Sequence, residues 1–212
     1  MPQRGNRREL LAECAIEVLA REGGRGLTHR AIDREAGVPE GTTKNYHPTR
    51  GSLLVAAARH IAREHTAALR ELRDQMPAEV TKADIATLYA TMLRRMVTDA
   101  RSQFLALFEL HLEGVRRPEV RAALGEIGLA NVDTSVHLHA AVGDRISRRG
   151  AGLLEASMLG VALSMLSLPD EVVGEIGFGD ADPLATALLS MSADDDPVVE
   201  ALRGATVRGR AS

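Results

Sequence analysis

The stretch LTHRAIDREAGVPEGTTKNYHPTRGSLL, residues 27–54, decides the fold. Thr28 is a good N-cap for a short helix through Ala36, with Ala31 and Ile32 turned inward. Gly37-Val38-Pro39 makes a tight break, and residues 40–47 then have room for barely two turns. Pro48-Thr49-Arg50 separates this pair from a long helix over 51–75, striped by Leu54, Ala57, Ala58, Ile61, Leu69 and Leu72. Upstream, Leu10, Leu11, Cys14, Ala15, Val18 and Leu19 form one apolar stripe of a helix over 6–22, stopped by Gly23 and Gly24. Two short helices joined by a glycine-containing turn and packed on a preceding helix make a helix-turn-helix.

Such a second helix is short enough to set its first residues against base edges in the major groove. Gly41 permits close backbone approach, and Thr42, Thr43, Lys44 and Asn45 offer groups able to bond phosphates or bases. Arg50 is expected to add a phosphate contact at the start of the next helix. Thr28, His29, Arg30, Tyr46 and His47 complete the expected DNA-binding set.

Residues 27–43, with the following Pro48-Thr49-Arg50-Gly51-Ser52-Leu53-Leu54, closely resemble the DNA-binding head of TetR-type transcriptional regulators. In that family a Thr-capped helix leads to A-G-V-x-x-G-T, an aromatic-containing end and P-x-K/R-x-x-L-L. The match covers about residues 8–55. Two positions depart from the pattern: Lys44 stands where a phosphate-gripping Tyr is common, and His47 where a Phe usually packs before the proline. Tyr46 is a neighbouring source of the missing ring.

Composition agrees with helices. Aromatic residues make up 2% of the 212, with no Trp, so Ala, Leu, Val and Met must pack the core, and strands favour other residues. The fold class expected is all-α. The organisation expected is a DNA-binding head over 1–51, a helical effector-binding and dimerisation bundle over 52–192, and a disordered tail over 193–212. Further helices are expected over 82–98, 101–115, from Pro118 to about 142, over 151–168 and near 183–192, with a Gly- and Asp-rich loop after 168.

Residues 1–50 carry a net charge of +2 and the remainder −5, so only the head is suited to meet phosphates. The lone Cys14 excludes an internal disulfide framework and reads as buried filler. Residues 152–168 form the longest apolar run, which is short for a membrane span and interrupted by Glu155. A cytoplasmic protein with no membrane partner is expected.

A single head reads few base pairs, so homodimerisation is expected. Its best elements are the helix over 151–168 and the following one, through Leu154, Met158, Val161, Met165, Leu168, Leu184 and Leu188. The resemblance implies the same, a four-helix interface from the last two helices. The middle helices carry Tyr89, Met92, Met96, Phe104 and Phe108, interrupted by His111, Asn131, Thr134 and His137. Together these are the expected lining for a small apolar or amphipathic effector.

His137 and His139, two apart on a helix, point to different sides and cannot share an ion. His60 and Glu64 read as an exposed pair. No metal site, cofactor or catalytic constellation is expected. The reading is a ligand-responsive, homodimeric regulator, a repressor released from a double-stranded DNA operator by a small molecule. The alternatives are a DNA-binding or protein-interaction module without an effector, and an all-α enzyme.

Overall fold

The computed structural model describes residues 4–74 and 80–192, and every regular element among them is helical. In chain order these are α1 (Arg4–Gly26), α2 (His29–Glu35), α3 (Thr42–Tyr46), α4 (Arg50–Asp74), α5 (Lys82–Val97), α6 (Arg101–Arg116), α7 (Pro118–Ala141), α8 (Arg148–Ser167), α9 (Asp170–Glu175) and α10 (Ala181–Met191). α1 breaks at Gly23, where φ is +67°, so its regular part ends where the glycine pair predicts. The expected disordered tail lies outside the described residues.

One helix escaped the pattern: α9 occupies part of the expected Gly- and Asp-rich loop. Pro169 enters it with φ near −58°, and Asp170 and Glu171 fill its first turn, where acids oppose the positive end of the helix. Its single apolar turn is too short to register as a stripe.

The chain divides into two compact units, residues 1–73 with 100–127, and 74–99 with 128–212. The expected division by role at 51/52 falls inside the first. In that unit α1 packs on α6 and α2, and α2 on α3. Its core is built from Leu11, Val18 and Leu19 of α1, Ile32 of α2, Leu53, Leu54 and Ile61 of α4, Leu110 of α6 and Val120 of α7. Cys14 lies at the edge of this core, and burial, reinforced by Glu35, Glu13 and Glu17, pushes its thiol up. His60, expected on an exposed face, is buried instead, because it falls between the apolar positions Ala57 and Ile61 on the inner stripe of α4.

In the second unit α5 packs on α8 and α10, and α8 also meets α9 and α10. Tyr89, Met92, Leu93 and Met96 of α5, Leu154, Met158 and Val161 of α8, and Leu188 of α10 are buried. Side-chain caps define the helix starts: Thr81 and Asp84 form a reciprocal capping box on α5, Ser147 caps α8, and Asp180 caps α10.

Four of the expected dimer residues, Leu154, Met158, Val161 and Leu188, are therefore filled-in core of this same chain. Met165 and Leu184 are half-buried and Leu168 is exposed. The richest apolar stripe of α8 faces inward because its own chain needs that stripe first. The opposite side carries Ala156, Gly160 and Leu163, all exposed.

α8 also sets a packing limit. A Cβ added at Gly150 would collide with the main-chain carbonyl oxygen of Ser192 and crowd Ile146, whereas one at Gly125 of α7 would meet nothing within 4 Å. Gly150→Ala should lower stability by about 1–3 kcal/mol through overpacking, and Gly125→Ala should raise it by about 0.5–1 kcal/mol through helix propensity. Urea denaturation of the two variants checks both signs.

Candidate functional site

The recognition helix is set up by α2. Thr28 accepts a hydrogen bond from Ala31 N at 3.1 Å, capping α2 as its sequence position predicts. α2 ends in a Schellman arrangement: Val38 N donates to Asp33 O and Gly37 N to Arg34 O, with Gly37 at φ +61°. The chain turns again at Gly41, φ +90°, directly before α3. Both glycines occupy left-handed backbone that side-chain-bearing residues resist.

Asp33 is the residue that sequence reasoning missed. Its carboxylate is 3% exposed; Oδ2 accepts from Gly41 N at 2.7 Å, while Oδ1 accepts from Thr43 N at 2.7 Å and Thr43 Oγ at 2.6 Å. Burial by itself would push this carboxyl up. The hydrogen bonds from Thr43 and Gly41, with His29 nearby, outweigh that and hold it below the usual range. The available signal was an acid inside a short helix, ten residues before a threonine at the next helix start.

Several residues expected to touch DNA are occupied internally. Thr43 is fully buried with its hydroxyl on Asp33. Thr42 is half-buried and donates to Pro39 O at 2.6 Å. His47 is buried and is core filler, because the position before Pro48 points under the recognition helix. Burial, with Arg8 and His29 adding positive charge, pushes its imidazole down. His29 donates from Nε2 to His47 O at 2.7 Å, and Tyr46 packs half-buried against the first core. Lys44 and Asn45 remain fully presented on α3, and exposed Arg30 pairs with Glu40 at 2.5 Å.

Arg50 also departs from expectation. It is turned inward: Nη1 donates to Leu27 O at 2.5 Å, and Nη2 to Gly24 O and, at 3.0 Å, to Glu113 Oε1 of α6. Glu109, one turn earlier on α6, accepts from Gly24 N at 2.8 Å. Glu113 is held ionised against its burial by Arg117 and Arg50. The motif arginine thus fastens α4 and the α1–α2 connection to α6 rather than reaching out to phosphate. The start of α4 is closed separately, by Thr49 and Ser52 exchanging main-chain and hydroxyl hydrogen bonds.

In the second unit, the expected effector residues separate. Tyr89, Met92 and Met96 are buried, and Asn131 is half-buried. Thr134 and His137 are exposed and bond back to Ala130 O and Asp133 O of their own helix. Phe104 and Phe108 are half-buried and His111 exposed on α6, in the first unit. The inward polar positions of α7 are instead Asn131, Ser135 and His139, spaced by four. Tyr89 Oη donates to Ser135 Oγ at 3.1 Å. Ser135 Oγ and Asn131 Nδ2 donate to the two oxygens of Glu155, at 3.3 and 3.5 Å. Glu155 is half-buried, and the run of apolar residues around it was the signal that this acid is partly covered.

Regular elements that are all helical among the described residues, with a presented five-residue reading helix, define the class: a helix-turn-helix DNA-binding protein. Residues 80–206 match the family model described as "Tetracyclin repressor-like, C-terminal domain", and the chain belongs to the TetR family of transcriptional regulators. No curated protein matches it in sequence. Among solved structures it is similar to the multidrug binding protein EbrR complexed with ethidium, at 25% identity and TM-score 0.64, over 88% of this chain and 98% of that one. A TetR-family member from Streptomyces coelicolor A3 matches at 25% identity and TM-score 0.61, over 86% and 97% of the two chains. A putative TetR-family regulator from Rhodococcus sp. shares the fold, with TM-score 0.69 at 21% identity over 88% and 98%.

Because the folded pKa of Asp33 lies below its unfolded value, its stabilising effect is complete above that unfolded value and fades as pH falls through the folded one. Asp33→Asn should cost about 1–3 kcal/mol at neutral pH by unpairing the part-buried Gly41 N–H. The gap between variant and parent should narrow below about pH 4. Denaturant melts from pH 7 to pH 3 measure both.

Proposed function

We propose that this TetR-family regulator is a homodimeric repressor released from its operator by a small molecule. The observation that carries the reading is the α3 surface, where Lys44 and Asn45 stand exposed on a helix anchored from behind by Asp33. Lys44 supplies phosphate attraction and Asn45 a bidentate amide suited to a base edge. The proposed DNA-contacting set is accordingly Lys44 and Asn45, with Arg30 and the Thr42 region flanking them. Gly41 gives the backbone its close approach.

Dimerisation is supported by α8. It is long and apolar enough to cross a membrane by length and composition, yet only 33% of its apolar window is buried within this chain. Small residues at Ala156 and Gly160 beside exposed Leu163, with exposed Ala187 and Met191 on α10, form the face proposed to meet a second copy. Two-fold pairing would space two heads about one DNA turn apart, roughly 34–36 Å. Ligand response is supported by the likeness to EbrR, whose structures hold ethidium and, at 27% identity and TM-score 0.57, proflavin. A cytoplasmic location follows from the proposed DNA target.

Retention of the DNA upstream of its own gene, with and without a panel of cationic, neutral and anionic aromatic compounds, tests the whole reading. Release by none of them would favour a module without an effector. Lys44→Ala should weaken binding to all sequences and reduce the salt slope by about one phosphate. Arg50→Ala should leave that slope unchanged and instead lower the melting temperature, since its guanidinium is engaged within the chain. An equal slope change in both would return Arg50 to the DNA surface. Leu163→Arg should yield monomers by light scattering and weaken operator binding at least tenfold.

A further inference from the structure

We propose that Glu155, together with the α7 row Asn131, Ser135 and His139, recognises a cationic aromatic ligand bearing N–H donors; this deepens the ligand-responsive reading and rests on it. Residues four apart on a helix share a face at steps of about 6 Å, so the row presents three polar groups in line. Glu155 of α8 and Tyr89 of α5 meet that line at Ser135, within one compact unit.

The hydrogens in this cluster all run toward the carboxylate. Tyr89 donates to Ser135, and Ser135 and Asn131 donate to Glu155. These donors are neutral and the last two bonds are long. A carboxylate has about four acceptor positions, so Glu155 retains unused capacity. No Lys or Arg among the described residues pairs with it. Burial pushes its carboxyl up, and the hydrogen bonds from Ser135 and Asn131 offset this only in part.

His139 adds a second, independent polar group that lacks a partner. It is 4% exposed, and Nδ1 faces Asp144 Oδ2 at 3.1 Å. Asp144 is held ionised by Lys82 and can only accept, so Nδ1 donates its proton toward it. That Nε2 is buried and has no hydrogen-bond partner among the described residues. The ring lies 6.0 Å from that of Tyr89, tilted by 46°.

A half-buried carboxylate without a cationic partner, an unpartnered imidazole nitrogen and an aromatic ring together suit positive charge, hydrogen-bonding N–H groups and a flat apolar frame. The Glu155 carboxylate repels carboxylates and sulfonates. The competing account is a permanently protonated Glu155 serving the core alone, and the two differ in what glutamine does there.

The test is fluorescence titration of the full-length chain with ethidium and with the anionic dye 8-anilinonaphthalene-1-sulfonate. The expected result is that the parent prefers ethidium. Glu155→Gln should weaken ethidium binding at least tenfold with an unchanged or raised melting temperature, and His139→Phe should weaken it several-fold. His137→Ala, on the outward side of α7, should bind as the parent does. Equal ethidium affinity in Glu155→Gln and the parent overturns the assignment. So does a parent that prefers the anionic dye, a comparison that needs no variant.

Release of operator DNA by ethidium, compared between the parent and Glu155→Gln, cancels the dye's own action on DNA and separates the two proposals. Binding through Glu155 without a difference in release leaves the site standing and removes the ligand-responsive reading. Release by neutral compounds, with Glu155 indifferent to ethidium, does the reverse.

Discussion

The carboxylate of Asp33 sits at the N-terminal end of α3 and takes the hydrogens of Gly41 N, Thr43 N and Thr43 Oγ. An isolated helix needs about 12–15 residues to be even marginally stable in water, and α3 has five. Its shape must come from outside. Asp33 supplies an acceptor for two otherwise free main-chain donors and a negative charge at the positive helix end. Because Asp33 belongs to α2, the orientation of α3 is inherited from α2, which the Thr28 cap and the apolar residues Ala31 and Ile32 fix on α1 and α4. The exposure of Lys44 and Asn45 is a consequence of that chain of contacts.

The same unit carries a second set of polar fasteners. Glu109 and Glu113 of α6 hold Gly24 and Arg50, at the end of α1 and the start of α4. Arg50 reaches two carbonyls besides, at Gly24 and Leu27. A planar guanidinium with several fixed donors can join three acceptors where a lysine would join fewer. α6 is thereby tied to the head by charged hydrogen bonds as well as by Leu110. α7 has a share in both units: Val120 and Ala123 lie in the first core, and Ser135 and His139 are buried in the second.

Much of this was legible in the residues. Caps and glycines marked the ends of α2 and α3, because Thr28, Gly37 and Gly41 each have a local geometric reason to be there. Apolar stripes marked α1, α4, α5 and α6. Three features were hidden, and for related reasons. Asp33 looks like a surface acid because its partners lie eight and ten residues away across a turn. The row of Asn131, Ser135 and His139 looks like an outward face, since polarity at helical spacing normally means solvent. Thr134 and His137, adjacent in sequence, were chosen for the same chemistry and point the other way. Leu154, Met158, Val161 and Leu188 turned inward because apolarity measures how much a side chain gains from burial, not which chain buries it.

That last distinction explains the composition of α8. A helix serving one core needs a single apolar stripe; α8 has a second side of alanine, glycine and leucine that its own chain leaves exposed. Small residues there give little transfer free energy but allow close backbone approach, which suits a symmetric helix contact more than a monomer core. Into this helix the sequence inserts Glu155, whose partial burial is costly if it is ionised and is matched by no Lys or Arg among the described residues. A valine or leucine would pack as well at no such cost. An acid with only neutral donors, beside the Asn131, Ser135 and His139 row of the neighbouring helix, is suited to form one half of an ion pair whose other half is the proposed ligand.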